Sequence, residues 1–148
     1  DAEEAEEHVR LLNKNSSKYL AVAGADVRDG ANVIIWEDMG QKDIWWDLKP
    51  QPQDKDCYKI QNRNSGKYLA VSGASITNGG NVIQWHDAGQ RDILWDFQRV
   101  GSSCYKIRNV NSGKYLAVAG AAVTNGGNVI QWEDVDQPDI VWCKEHKK

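Results

Sequence analysis

Residues 67–96 read KYLAVSGASITNGGNVIQWHDAGQRDILWD, and two further stretches of the chain repeat this pattern. Residues 18–47 read KYLAVAGADVRDGANVIIWEDMGQKDIWWD, and residues 114–143 read KYLAVAGAAVTNGGNVIQWEDVDQPDIVWC. The tyrosine of the KYLAV motif recurs after 49 and then after 47 residues. Self-similarity at an almost fixed period indicates a repeat architecture, so we expect three similar structural units.

Each repeat consists of short apolar or alternating runs separated by Gly and Asn, a pattern typical of strands and turns. In the second repeat we expect strands at residues 58–62, 68–71, 82–85 and 93–97. No apolar stripe has helical spacing, which argues against a helical repeat. Four strands in each of three repeats give twelve strands. Because closure removes the exposed edges of short strands, we predict an all-β, closed threefold barrel capped by hairpins.

The length of 148 residues suits a single domain. We expect one domain over residues 1–148, with repeats at about 8–48, 57–97 and 104–144. Residues 1–7 are expected to form a solvated acidic tail.

The composition excludes several classes of function. The net charge is −3 with scattered Lys and Arg, so we expect no nucleic-acid partner. No apolar run approaches the roughly 18 residues of a membrane-spanning helix, so we expect no membrane span. Seven Trp stand beside one Phe and one Met, which suggests that some indoles face a ligand rather than the core. The first residues lack a signal peptide's features, and the compartment stays open, with an extracellular location favoured.

Three motifs of the repeat resemble a known family. Gly-Lys-Tyr-Leu-Ala-Val-x-Gly, Asn-Val-Ile-Gln-Trp and Asp-Ile-x-Trp are similar to motifs of the ricin B-type β-trefoil lectins, the R-type lectin domain. Repeats of that family run Cys-Leu-Asp-Val, Val-x-Leu-Trp and Gln-x-Trp. The resemblance covers residues from about 9 to 142 and implies a β-trefoil with a shallow sugar pocket in each repeat. There, an aromatic ring stacks on a pyranose while a carboxylate and amides bind its hydroxyls.

The resemblance assigns two sets of tryptophans. The family's stacking position corresponds to Trp36, Trp85 and Trp132. The alternative is that these indoles only pack under the hairpin cap. The closing tryptophans are core residues in the family, and here they are Trp46, Trp95 and Trp142.

The polar groups of the pocket depart from the family pattern. The family's sugar-binding Asp is replaced by Ala21, Ala70 and Ala117, and its Gln by Ile44, Ile93 and Ile140. A carboxylate three residues before each closing Trp is expected to bind sugar or to cap its own loop, and these residues are Asp43, Asp92 and Asp139. Further repeated candidates bind sugar or form turns; they are Asn32, Asp38, Gln41, Asn81, Asp87, Gln90, Asn128, Asp134 and Gln137.

The three cysteines permit one internal bridge. If the first and fourth strands of a repeat pair antiparallel, Cys104 and Cys143 become neighbours, so we predict that disulfide and a free Cys57. A metal held by His8, Cys57 and Cys104 is conceivable, but these residues sit at barrel corners. We expect no metal and no cofactor.

The leading hypothesis is a carbohydrate-binding lectin with up to three sites that bind glycans of glycoproteins or glycolipids multivalently. The resemblance implies galactose or N-acetylgalactosamine as ligand. The alternative is a protein-binding β-trefoil, such as a protease inhibitor, since the fold does not fix the function. No catalytic set of side chains recurs, so we expect no enzyme, although a module of a larger toxin or glycosidase stays open, as does a homodimer.

Overall fold

The computed structural model describes residues 6–52 and 54–148, and these contain twelve β-strands. The strands are β1 (Glu7–Asn13), β2 (Tyr19–Val22), β3 (Val33–Trp36), β4 (Trp46–Gln51), β5 (Asp54–Asn62), β6 (Tyr68–Val71), β7 (Val82–Trp85), β8 (Leu94–Arg99), β9 (Cys104–Asn109), β10 (Tyr115–Val118), β11 (Val129–Trp132) and β12 (Val141–His146). Six single 3-10 turns join them: Ala23–Ala25, Lys42–Ile44, Ser72–Ala74, Arg91–Ile93, Ala119–Ala121 and Pro138–Ile140.

Six strands close into a barrel. The first and fourth strands of every repeat pair antiparallel, as β1 with β4, β5 with β8 and β9 with β12. Between repeats, β4 pairs with β5, β8 with β9, and β12 with β1, which completes the ring. The barrel therefore has no free edge, as the sequence predicts.

The other six strands form three hairpins, β2 with β3, β6 with β7 and β10 with β11. Isolated bridges link neighbouring hairpins, for example between Asn32 and Ile83. A six-stranded barrel capped by three hairpins is the β-trefoil arrangement. The strands expected in the second repeat are present, but Ile93 belongs to the preceding 3-10 turn and the last strand begins at Leu94.

The core lies inside the barrel and under the hairpins. The closing tryptophans Trp46, Trp95 and Trp142 are fully buried, as expected. Each indole N–H donates to a backbone carbonyl, that of Leu20 at 2.9 Å in the case of Trp46. The N–H of each buried indole therefore has a hydrogen-bond partner. Within the described residues, no helix is long and apolar enough to cross a bilayer.

Both ends of the described chain are held in the barrel. Residues 1–5 of the expected acidic tail lie outside the described residues. Glu7, also placed in that tail by the sequence, begins β1 and pairs with Leu48. Cys104 and Cys143 lie opposite each other and form the disulfide that the sequence predicts, and Cys57 is free and buried.

Candidate functional site

Each repeat contains one cavity between its hairpin and the loop that follows the hairpin. The cavities measure about 380, 450 and 240 Å³ in the first, second and third repeat. Three of the five positions predicted per repeat meet in these linings: Trp36, Gln41 and Asp43, then Trp85, Gln90 and Asp92, then Trp132, Gln137 and Asp139.

The lining tryptophans are supported by a neighbouring repeat. A β-carbon added to Gly30 of the first repeat would lie 3.5 Å from Cζ3 of Trp85 in the second. Gly30 has a φ of +89°, so its backbone conformation favours glycine, and the indole lies at van der Waals distance from it. Trp85 and Trp132 stay 38% exposed where they line their cavities. An indole that is braced by backbone yet accessible is suited to stacking on a ligand.

The aspartate of each cavity is held on two sides. One carboxylate oxygen of Asp43, Oδ2, accepts the backbone N–H of Val22 at 3.1 Å. The backbone carbonyl of Asp43 accepts a hydrogen bond from the Asn62 side chain of the next repeat at 3.0 Å. Asp43 is only 4% exposed. Burial raises the pKa of this carboxyl, and the backbone N–H of Val22 opposes that rise.

These contacts place a carboxylate near the position where the family pattern has lost one. Val22 directly follows Ala21, which stands where the family has its sugar-binding Asp. Asp43 therefore reaches the same strand end from a different loop. The other repeats reproduce the contact, with Asp92 on Val71 at 3.0 Å and Asp139 on Val118 at 2.9 Å. The aspartate caps backbone and lines the cavity at once, so its two sequence interpretations are compatible.

The lining glutamines are engaged by their own loop. Gln41 accepts the backbone N–H of Met39 at 2.7 Å and donates to the carbonyl of Glu37 at 3.1 Å. Gln90 and Gln137 make the corresponding bonds. The glutamines therefore shape the loop after each tryptophan, and each amide keeps one N–H and one lone pair for a further contact.

The predicted asparagines bind one another rather than line the cavities. Asn32 donates to Asn128 at 2.6 Å, Asn128 to Asn81 at 2.9 Å, and Asn81 back to Asn32 at 2.8 Å. This closed cycle, the asparagine ring, joins the three hairpins at the pseudo-threefold axis. It lines none of the three cavities described above. Each hairpin contributes one equivalent asparagine to the axis, so the three side-chain amides form hydrogen bonds with one another.

The aspartates of the Trp-x-Asp motif also lie outside these cavities. Asp38 accepts from the Arg10 guanidinium at 2.6 Å and from the backbone N–H of Gly40 at 2.9 Å. Asp87 and Asp134 make the same pair of contacts, with Lys59 and Lys106 as the cations. The Lys59 ammonium lowers the pKa of Asp87. These carboxylates fix the loop to the first strand of the repeat.

Sequence reasoning missed two sets of asparagines that frame the cavities. Asn13, Asn62 and Asn109 are buried and hold the backbone carbonyls of the cavity aspartates. Asn64 donates its side-chain amide to the carbonyl of Ala25 at the rim of the first cavity, at 3.1 Å. Both sets belong to the Asn-x-Asn-Ser turn of each repeat, whose recurrence was the available signal. Each cavity is thus lined by its own repeat and supported by contacts from another.

Metal-ligating residues meet at one place among the described residues. Ligand atoms of Glu6, His8 and Asp47 lie within 4.8 Å of one another. Their carboxylates already face Lys49 and Arg63, so the charges are compensated. The conceivable set of His8, Cys57 and Cys104 is excluded, because Cys104 is consumed by the disulfide.

The fold is a β-trefoil, and each of its three repeats has a cavity with one supported tryptophan and one carboxylate. These features are those of a binding protein built from repeats. The profile described as a ricin-type beta-trefoil lectin domain-like family matches residues 2–85, 45–132 and 91–146. The chain belongs to this family. Family membership and the repeated cavities support carbohydrate binding.

Solved structures give the same fold. The designed threefold-symmetric protein ThreeFoil is 34% identical over 93% of this chain and 96% of its own, with a TM-score of 0.89. An exo-β-1,3-galactanase from Clostridium thermocellum is 30% identical over 95% of this chain, with a TM-score of 0.91. This chain covers only 30% of that enzyme.

A more distant structure matches over its full length. The Macrolepiota procera ricin B-like lectin, solved with lactose, is 15% identical, with coverages of 99% and 100% and a TM-score of 0.83. At that identity the likeness concerns the fold alone. A comparison with curated proteins finds no match.

Proposed function

We propose that the protein is a carbohydrate-binding lectin with one sugar site in each repeat. In each site the exposed face of the tryptophan stacks on the apolar face of a pyranose. The free oxygen of the buried aspartate accepts hydrogen bonds from sugar hydroxyls, which must regain partners when they leave water. The stacking residues are Trp36, Trp85 and Trp132, and the carboxylates are Asp43, Asp92 and Asp139.

One observation carries this proposal. A braced indole and a carboxylate fixed by a backbone N–H recur in all three cavities, each with a second repeat as support. A carboxylate that only capped its loop would not need an accessible indole beside it three times over. Catalysis asks for different groups, and the cavities place no second titratable side chain beside the aspartate.

The proposed ligands are glycans that end in galactose or N-acetylgalactosamine. The resemblance of the repeat motifs to the family and the match to a domain of the galactanase support this class. Three weak sites on one small domain would gain affinity for a glycan-coated surface through avidity.

A glycan array followed by titration of galactosides into the purified protein tests the proposal. We expect capture of galactose-terminated glycans. Trp85→Ala and Trp132→Ala should each remove one site, because each deletes the stacking surface of one cavity, and the double variant should lose surface avidity by about 100-fold or more.

Trp45→Leu is the matched control, since Trp45 lies outside the three cavities and the second repeat has Leu94 at that position. It should leave binding unchanged. Absence of binding across a broad array would refute the proposal and favour protein recognition, as would equal effects of Trp45→Leu and Trp85→Ala.

A further inference from the structure

The three cavities differ at one position that lines all of them, and Ser72 lines the second cavity alone. Met39 occupies the shared position in the first repeat, Ala88 in the second and Val135 in the third. The other side chains shared by all three linings are of the same type in every repeat: Ala, Val, Gly, Ala, Ile, Trp, Gln and Asp. The first and third linings differ at this position alone, so a difference in ligand preference that originates in the lining of these two cavities must arise from Met39 and Val135.

Met39 changes the tryptophan beside it. The indole N–H of Trp36 donates to the Met39 sulfur at 3.4 Å. Ala88 and Val135 have no side-chain atom that could accept a hydrogen bond from the tryptophan beside them. Among the described residues, the indole N–H of Trp85 and that of Trp132 accordingly have no such bond. A sugar hydroxyl that meets Trp36 must compete with the thioether for this donor.

Met39 also adds apolar surface to the first cavity. Its side chain is 68% exposed although it lines the cavity. A methionine side chain is unbranched, flexible and polarisable, so it adapts to an apolar or aromatic group placed against it. A hydroxyl in the same place would lose water without gaining a strong acceptor.

From these contacts we propose that position 39 and its equivalents set the specificity of each site. The first repeat selects glycosides that carry an apolar substituent, such as an aryl aglycone, which packs between Met39 and Trp36. The second and third repeats bind the unsubstituted sugar as well as, or better than, the glycoside with the apolar substituent. This inference rests on the proposed sugar-binding function and names the ligand class of one of its three sites.

Site-resolved titration separates the three repeats. In ¹⁵N-labelled protein each tryptophan gives its own indole N–H signal, and Trp36→Phe, Trp85→Phe and Trp132→Phe assign the three cavity signals. Methyl β-galactoside and phenyl β-galactoside are titrated separately. We expect the phenyl group to tighten binding about tenfold at Trp36 and much less at Trp85 and Trp132.

The repeats supply matched variants. Met39→Val gives the first repeat the residue of the third, and should remove the phenyl preference at Trp36. Val135→Met makes the reverse exchange, and should create that preference at Trp132. Both positions are exposed, so thermal unfolding should be unchanged and would reveal a folding defect.

The outcomes distinguish the two proposals. If Trp85 and Trp132 respond but the phenyl-to-methyl ratio is the same at all three indoles, the specificity inference is wrong and the sugar-binding proposal stands. A Val135→Met variant without a new phenyl preference would also overturn it. If no cavity indole responds to either galactoside, the galactoside-binding proposal fails, and this inference fails with it.

Discussion

One cross-strand position carries three different pairs in the three repeats. Where the first and fourth strands of a repeat meet, His8 faces Asp47, Cys57 faces Asp96, and Cys104 faces Cys143. The first pair is a hydrogen-bonded imidazole and carboxylate at 2.6 Å, and the third is a disulfide.

The middle pair at this position is the least satisfied. Oδ1 of Asp96 is buried without a hydrogen-bond partner among the described residues. Burial, with the charges of Asp96 and Asp54, raises the pKa of Cys57 to about 11, so the thiol stays protonated at neutral pH.

The unsatisfied pair leads to a prediction on stability. Asp96→Cys should form a second disulfide with Cys57, because it copies the register of the native bridge and its sequence separation of 39. We expect a gain of about 3 kcal/mol, most of it by restricting the unfolded chain. Thiol counting should find no free cysteine, and denaturation with and without reductant measures the gain. Two free thiols in the variant, or unchanged stability after oxidation, would contradict the prediction.

The hairpins meet at the asparagine ring, and its energetics belong to the element scale. Each amide in the cycle donates to one neighbour and accepts from the other, so removing any member leaves a donor and an acceptor without partners. The ring therefore orients three hairpins with respect to one another and fixes the loops from which the cavities are built.

Asn81→Ala should lower the free energy of unfolding by about 1–3 kcal/mol while leaving galactoside affinity at the folded protein unchanged. Urea denaturation and titration of the same sample measure both quantities. Ile76→Ala, at an exposed position of the same hairpin loop and outside the ring, is a control for loop substitution. Loss of sugar binding at normal stability would instead return Asn81 to the binding site, where the sequence analysis had placed it.

At the scale of the whole molecule, the first and last strands are joined by a buried ionic clasp. The Lys144 ammonium donates to Glu7 at 3.0 Å, and its side chain is only 7% exposed. Aromatic rings surround it, the nearest being that of Tyr105 at 4.6 Å. His146 also contacts Glu7, at 2.9 Å. A cavity of about 510 Å³ opens beside these groups where the barrel closes.

The clasp predicts how stability depends on pH. Burial alone would raise the pKa of Glu7, but hydrogen bonds from His146 and Lys144 bring it below its ordinary value of 4.5. The unfolded chain then binds the proton first, so this contribution to stability is present above about pH 4.5 and is lost as pH falls through the lowered value. Glu7→Gln should flatten the stability profile in that window and cost about 2 kcal/mol at pH 7 by leaving Lys144 unpaired.

A double variant supplies the control for the clasp. The first repeat has Leu48 where the third has Lys144. Glu7→Gln combined with Lys144→Leu should recover most of the lost stability at pH 7, because a buried ion pair can be replaced by apolar packing. Denaturation curves from pH 3 to pH 7 test both variants. An unchanged slope in Glu7→Gln below pH 4.5 would refute the role assigned to the clasp.

Most of the fold could be predicted from the sequence, as could three of the positions that line each cavity. Local sequence pattern, repeated three times, predicts the period and the four strands per repeat. The pairing register of these strands predicts the Cys104–Cys143 bridge. The tryptophans that line the cavities and the buried closing tryptophans follow from the motif resemblance. The sequence did not show that Asn32 and Asp38 lie outside the cavity lining, because a repeated polar residue in a turn has the same pattern whether it binds ligand or protein.

The sequence by itself determined that three equivalent units build a closed all-β molecule with an accessible indole in each. Only the tertiary structure decided which repeat supports the tryptophan and the aspartate of each cavity. The contacts concerned join residues far apart in the chain, such as Gly30 with Trp85 and Asn62 with Asp43. Because the repeats are alike, a sequence pattern cannot distinguish a partner in its own repeat from one in the next. Closure of the barrel selects the partner, and with it the groups left free to bind.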